Sequence, residues 1–156
     1  MLTIRLIGTF RVDLDEQEVT VFQSKKVRGL LTYLAAEWDH SHARESMSGL
    51  LWPEYPNPSA LTYLRNALSN LRHVTGDARA DPHFFTVTHK TIQLNQNSSI
   101  WVDLRVFQEA VARPFDSGAN LRDLQDAIAL CRGPFLEGLA SITGLAIYAA
   151  EAFIWS

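Results

Sequence analysis

The sequence predicts an α+β fold, with a small antiparallel sheet and a helical core in its first two thirds and an all-helical last third. Three observations carry this. Short alternating or apolar runs crowd the first 22 residues, and a helix-length stretch from Asn57 to Gly76 places leucines at helical spacing. From Ile100 onward the apolar pattern keeps a helical period. With 156 residues, 47% of them apolar and 20% charged, the chain can bury a core of ordinary soluble composition.

Residues 2–8 and 10–14 read as two strands, with Gly8-Thr9 between them. A turn at Asp15-Glu16-Gln17 leads to a third short strand at 18–22. Ser24 is placed to cap a helix over 25–37 that buries Val27, Leu30, Leu31 and Leu34. Lys25, Lys26 and Arg28 crowd its first turn, where the helix dipole disfavours cations and a nearby phosphate or open solvent would relieve them. His40-Ser41-His42 breaks the pattern. A helix over 44–52 follows, uncapped at Ala43, with Met47, Leu50, Leu51 and Trp52 facing in. Pro53, Pro56 and Pro58 stiffen the connection to the next helix.

That helix, 58–75, is the centre of the reading. Asn57 is its expected cap, Pro58 suits its first turn, and Gly76 is a left-handed terminator. Leu61, Leu64, Leu68, Leu71 and Val74 form the apolar stripe. The other side presents Thr62, Arg65, Asn66, Ser69, Asn70, Arg72 and His73, with no carboxylate in the helix. An ordinary solvated face mixes both signs. A face of donors without acid suits a major groove, which has phosphate walls and an acceptor-rich floor. Two β-like runs follow, 84–88 and 91–95, hinged at His89-Lys90, so helix, loop, helix and hairpin together predict a winged helix-turn-helix.

From Ile100 the expectation is helix throughout: 104–113 capped by Asp103, 121–132 capped by Asn120, and 145–155, apolar on most sides and expected to be covered by further chain or by a partner copy. The net charge of −3 is uneven. Residues 1–97 carry ten basic and ten acidic side chains, so 98–156 holds the whole deficit. Only local clusters can therefore supply an electrostatic footprint for nucleic acid. Cys131, the single cysteine, excludes an internal disulfide and reads as a core residue. No apolar run is long enough for a signal peptide or membrane span, so a cytoplasmic location is expected. The five histidines lack metal-ligand spacing on a shared helix, His40-x-His42 reads as a solvated loop, and neither a phosphate loop nor a nucleophile motif appears. Catalysis, a metal and a cofactor are therefore not expected.

Several strings resemble the SARP/BTAD-type bacterial transcriptional activators: RLIGTFRVDLD, FQSKKVRGLLTYLA, LLWPE, LRNALSNLR and TIQLN, then VDLRVFQEA and LCRGPFLEG, with Trp155 early in a further helix. The resemblance implies an OmpR/PhoB-type winged helix over 1–97. It implies, over 98–156, the first part of an all-α, tetratricopeptide-like bacterial transcriptional activation domain, with several helices still to come. It also implies sequence-specific binding of double-stranded DNA on direct repeats and recruitment of RNA polymerase. Two positions depart from the family. Asn70 stands where Arg is usual and would favour adenine, and His73 stands where a fixed cation is common. Residues 141–148 are also more apolar than the family pattern.

The expected base-reading residues are thus Thr62, Arg65, Asn66, Ser69 and Asn70. The expected backbone clamps are Lys25, Lys26, Arg28, Arg72, His73 and Lys90. A homodimer contact through 145–155 is a further expectation. The competing class is a winged-helix protein-interaction module without DNA affinity of its own.

Overall fold

The computed structural model describes residues 1–112 and, beyond them, 122, 125 and 126. The expected helices over 121–132 and 145–155, Cys131 and Trp155 fall outside the described residues. The rest forms a mixed α+β unit with two sheets and four α-helices.

The N-terminal strands are shorter than the sequence predicts. β1 (Leu2–Arg5) and β2 (Arg11–Leu14) pair antiparallel with Ile4 opposite Val12. Asp15 and Glu16, both at positive φ, form a two-residue turn to β3 (Gln17–Glu18). Residues 20–22 leave the sheet, and Val21 is exposed. Helix α1 (Lys25–Ala36) begins after Ser24 as expected, yet the Ser24 side chain makes no capping bond. A two-residue strand, β4 (His42–Ala43), then leads directly into α2 (Arg44–Leu51). α3 (Asn57–Val74) starts one residue earlier than predicted. Asn57 is therefore inside the helix, and Pro56 holds the cap position without a side-chain bond. Gly76 does take the left-handed conformation, at φ 68°.

The apolar stripe of α3 is rotated from the sequence reading. Ala60, Leu64, Ala67, Leu68 and Leu71 are buried against α1 and α2, whereas Leu61 and Val74 are half-buried. Each fully buried leucine contributes about 1.5–3 kcal/mol relative to exposure. The hairpin forms where predicted, as β5 (Phe85–Val87) and β6 (Thr91–Leu94) around His89-Lys90. β4 adds a third strand, with His42 opposite Ile92.

The expectation of helix from Ile100 is corrected. β7 (Ile100–Val102) pairs parallel with β1, giving the sheet order β3-β2-β1-β7, and only then does α4 (Asp103–Ala112) begin. The run Ile-Trp-Val has strand character, but its partner lies at the opposite end of the described chain. Asp103 fastens this return: its carboxylate accepts from the backbone N–H of Leu6, Ile7 and Leu104. Among the described residues no helix is long and apolar enough to cross a membrane.

A 3-10 turn, Asp77–Arg79, joins α3 to the hairpin. The fully buried Asp77 accepts from Phe84 N at 2.7 Å, Phe85 N at 3.1 Å and Arg72 Nε at 2.8 Å. Asp77→Ala orphans two buried N–H groups, at about 1–3 kcal/mol each, so urea unfolding should show a loss of about 2–6 kcal/mol. Asp77→Asn, which keeps an acceptor oxygen, should lose less.

The hydrogen bond from Arg11 holds the Asp13 carboxyl below the usual carboxylate range. That pairing stabilises the fold above the ordinary Asp value, and its contribution is lost as pH falls through the lowered folded value. The stability difference between parent and Asp13→Asn, followed by thermal melts, should be constant near neutrality and shrink on acidification through that window.

Candidate nucleic-acid interface

Between α3 and the hairpin runs a groove built from two adjoining cavities of about 430 and 380 Å³, which share Arg44 and Arg65. Arg44, Arg65, Arg72 and Lys90 supply its fixed positive charge, His73 and His89 add imidazoles, and among the described residues Glu45 is the one carboxylate on its walls. An overall acidic chain thus concentrates cations in one concave place. Opposite charge accumulates in such a cleft because its low-dielectric walls focus the field.

Local structure explains how these side chains meet. The hairpin turn is closed by Thr88: its N–H donates to the Thr91 carbonyl, and its hydroxyl oxygen accepts from Lys90 N and Thr91 N. The Lys90 carbonyl in turn accepts from Arg44 N at 2.8 Å, which ties the tip to the start of α2. On α3, Arg65 and Arg72 lie seven residues apart, two helical turns on one flank. The buried Nε of Arg44 has no hydrogen-bond partner among the described residues. Four fixed cations around one concave space are disposed to hold an anion.

The expected base-reading residues separate into two groups. Arg65, Asn66 and Ser69 are exposed on α3, and Arg65 and Ser69 border the groove. Thr62 is exposed too, with its hydroxyl bonded back to the Pro58 carbonyl. Asn70 is different. It is half-buried on the opposite flank, and its Oδ1 accepts from Gln23 N at 3.0 Å. That bond pins the segment entering α1 to α3, so the carboxamide oxygen is already used within the fold.

The expected backbone clamps separate likewise. Lys90, His73 and Arg72 line the groove, although Arg72 also spends its Nε on Asp77. Lys26 turns away: its Nζ donates to the Leu51 carbonyl at the end of α2 and sits 5.9 Å from the Trp52 ring. The cation that looked misplaced at the start of one helix is a favourable partner for the C-terminal carbonyls of another. Arg28 stacks over Phe22 at 5.6 Å, and Lys25 is exposed at the start of α1. The hairpin-tip residue His89, which the sequence also offers for a backbone or minor-groove contact, lines the groove beside Lys90, whereas the sequence reading missed Arg44. For Arg44 a signal existed, namely a cation at the first position of a helix whose preceding residue cannot cap it.

No protein-family model matches the chain, and no curated protein matches it. Among solved structures it is similar to Mycobacterium tuberculosis EmbR, in a complex with a low-affinity phosphopeptide. The two superpose with a TM-score of 0.71 at 24% identity, over 99% of this chain and 43% of EmbR. At that identity the similarity is one of fold, and this chain spans less than half the length of EmbR.

The placement of Asn70 and Lys26 has a measurable consequence. Asn70→Ala should lower stability by about 0.5–1.5 kcal/mol, the net value of one hydrogen bond, in chemical denaturation.

Proposed function

We propose that this chain is a sequence-specific DNA-binding transcriptional regulator of the winged-helix type, acting without catalysis. It would lay α3 in the major groove and set the hairpin against the backbone. The observation that carries the reading is the groove between α3 and the hairpin, whose walls gather Arg44, Arg65, Arg72 and Lys90 with one carboxylate, Glu45, among the described residues. The fold shared with EmbR, a SARP-family transcriptional regulator, supports a regulator of this kind at a coarse level.

In this reading Arg65, Asn66 and Ser69 read base edges, with Thr62 assisting. A good bidentate contact discriminates by about 1–3 kcal/mol. Arg44, Arg72, His73, Lys90 and the outlying Lys25 and Arg28 neutralise phosphates, which adds salt-dependent affinity without sequence information. Activation through RNA polymerase, binding to direct repeats, self-association through 145–155 and a cytoplasmic location complete the proposal. The strings shared with the SARP/BTAD pattern support the first two parts, and the apolar composition of 145–155 supports the third.

Fluorescence-anisotropy titration against a random DNA pool, with selection and across a range of salt, tests the reading. The expected result is an enriched motif and a log–log salt slope of about −0.9 per neutralised phosphate. Arg44→Ala should weaken all sequences alike and make that slope shallower by about one phosphate's worth. Flat anisotropy at low salt would instead favour a winged helix that docks proteins.

A further inference from the structure

The turn leaving α1 gathers chemistry that the DNA-facing side does not use. We propose that Glu37, His40 and His42 form a binding site for a first-row divalent cation of the zinc class. One ligand atom from each of the three lies within 4.8 Å of the others. His40 Nε2 and Glu37 Oε2 are 3.2 Å apart. Two ligands of a tetrahedral ion, each at about 2.0–2.1 Å, stand about 3.4 Å from one another, so this pair is already at ligand spacing.

One nitrogen of each imidazole is held by an oxygen. His40 Nδ1 lies 2.8 Å from Asp39 Oδ1, and His42 Nε2 lies 2.8 Å from the Glu37 carbonyl oxygen. Each contact favours the tautomer with its proton on that nitrogen. His40 Nε2 and His42 Nδ1 are then the nitrogens left to an ion, which on His40 would take the place of a proton between Nε2 and Glu37 Oε2. Metal-bound histidines use such outer partners, a carboxylate for one ring and a backbone carbonyl for another, to fix ring orientation and raise basicity. His42 is buried and packs edge-on against Tyr33 at 5.1 Å, so its ring is set in place. The His40 ring is 4.3 Å away and its side chain is 55% exposed, which leaves an entry from solvent.

Two imidazoles and one carboxylate suit Zn²⁺, Co²⁺ or Ni²⁺ and are a poor set for Mg²⁺ or Ca²⁺, which prefer oxygen ligands. The position has a structural consequence. His42 belongs to β4 and pairs with Ile92 in the hairpin sheet, so an ion here joins the end of α1 to the strand that supports the hairpin.

The test is a zinc titration of the whole 156-residue chain by isothermal calorimetry at neutral pH, with Co²⁺ and its visible spectrum as a second probe. The expected result is one equivalent bound and a melting temperature that rises with ion concentration. His40→Gln and Glu37→Gln should each weaken binding about tenfold or more while leaving the circular dichroism spectrum unchanged. Asp39→Asn should weaken it by about 10–100-fold, the usual effect of losing an outer partner. Cys131→Ser, which removes the thiol competitor, should bind as the parent does. Unchanged affinity in His40→Gln, lost binding in Cys131→Ser, or no saturable uptake by the parent at millimolar zinc would overturn the assignment.

Discussion

The geometry between α3 and the hairpin depends on one buried carboxylate. Asp77 lies immediately after the left-handed Gly76 and receives three hydrogen bonds, two from the first residues of the hairpin and one from Arg72 on α3. Its own carbonyl accepts from His83 Nδ1 at 2.7 Å. A charge at zero exposure is tolerated only when its oxygens are this well satisfied. Satisfying them fixes where β5 leaves α3, and hence how far Lys90 at the hairpin tip stands from Arg65. The groove is a consequence of that turn.

The same polar residue types serve two purposes here, and angular position on the helix decides which. On the flank of α3 turned toward the hairpin, Arg65 and Ser69 remain open to a ligand. On the flank turned toward α1, Asn70 holds Gln23 and Tyr63 packs edge-on against Tyr55 at 4.9 Å. Lys26 follows the same logic from α1, satisfying the end of α2 in place of a phosphate. A chain that is acidic overall can still present a basic groove, because Arg44, Arg65, Arg72 and Lys90 gather on its walls while Lys26 and Arg28 turn to internal partners.

The return of the chain at β7 joins the two parts that composition separates. Leu2 N donates to the Ser99 carbonyl, Ile4 sits opposite Val102, and Asp103 closes the end of β1. Burial pushes the Asp103 carboxyl above the usual carboxylate range, offset in part by its backbone donors. At the other end of this contact, Arg105 on α4 stacks over Trp38 at 4.0 Å. α4 is therefore braced against both the N-terminal sheet and the end of α1, next to the cluster of Glu37, His40 and His42.

What the sequence by itself determined are features set by neighbours a few residues apart: the helix around Leu64, Leu68 and Leu71, its stop at Gly76, and the hairpin turned at His89-Lys90. Helical period, left-handed glycine and turn closure by Thr88 all act over one or two turns of chain, so they are legible without a fold. The acid-free face of α3 was legible for the same reason. Only the tertiary structure decided that Ile100–Val102 is a strand beside β1, that His42-Ala43 joins the hairpin sheet, and that Asn70 and Lys26 serve the fold. It also decided that Arg44 meets Lys90 and Arg65, and that Glu37, His40 and His42 converge. Each of these is a partnership between residues that come together only when separate elements pack, and side-chain type alone does not state which oxygen or nitrogen will be its neighbour.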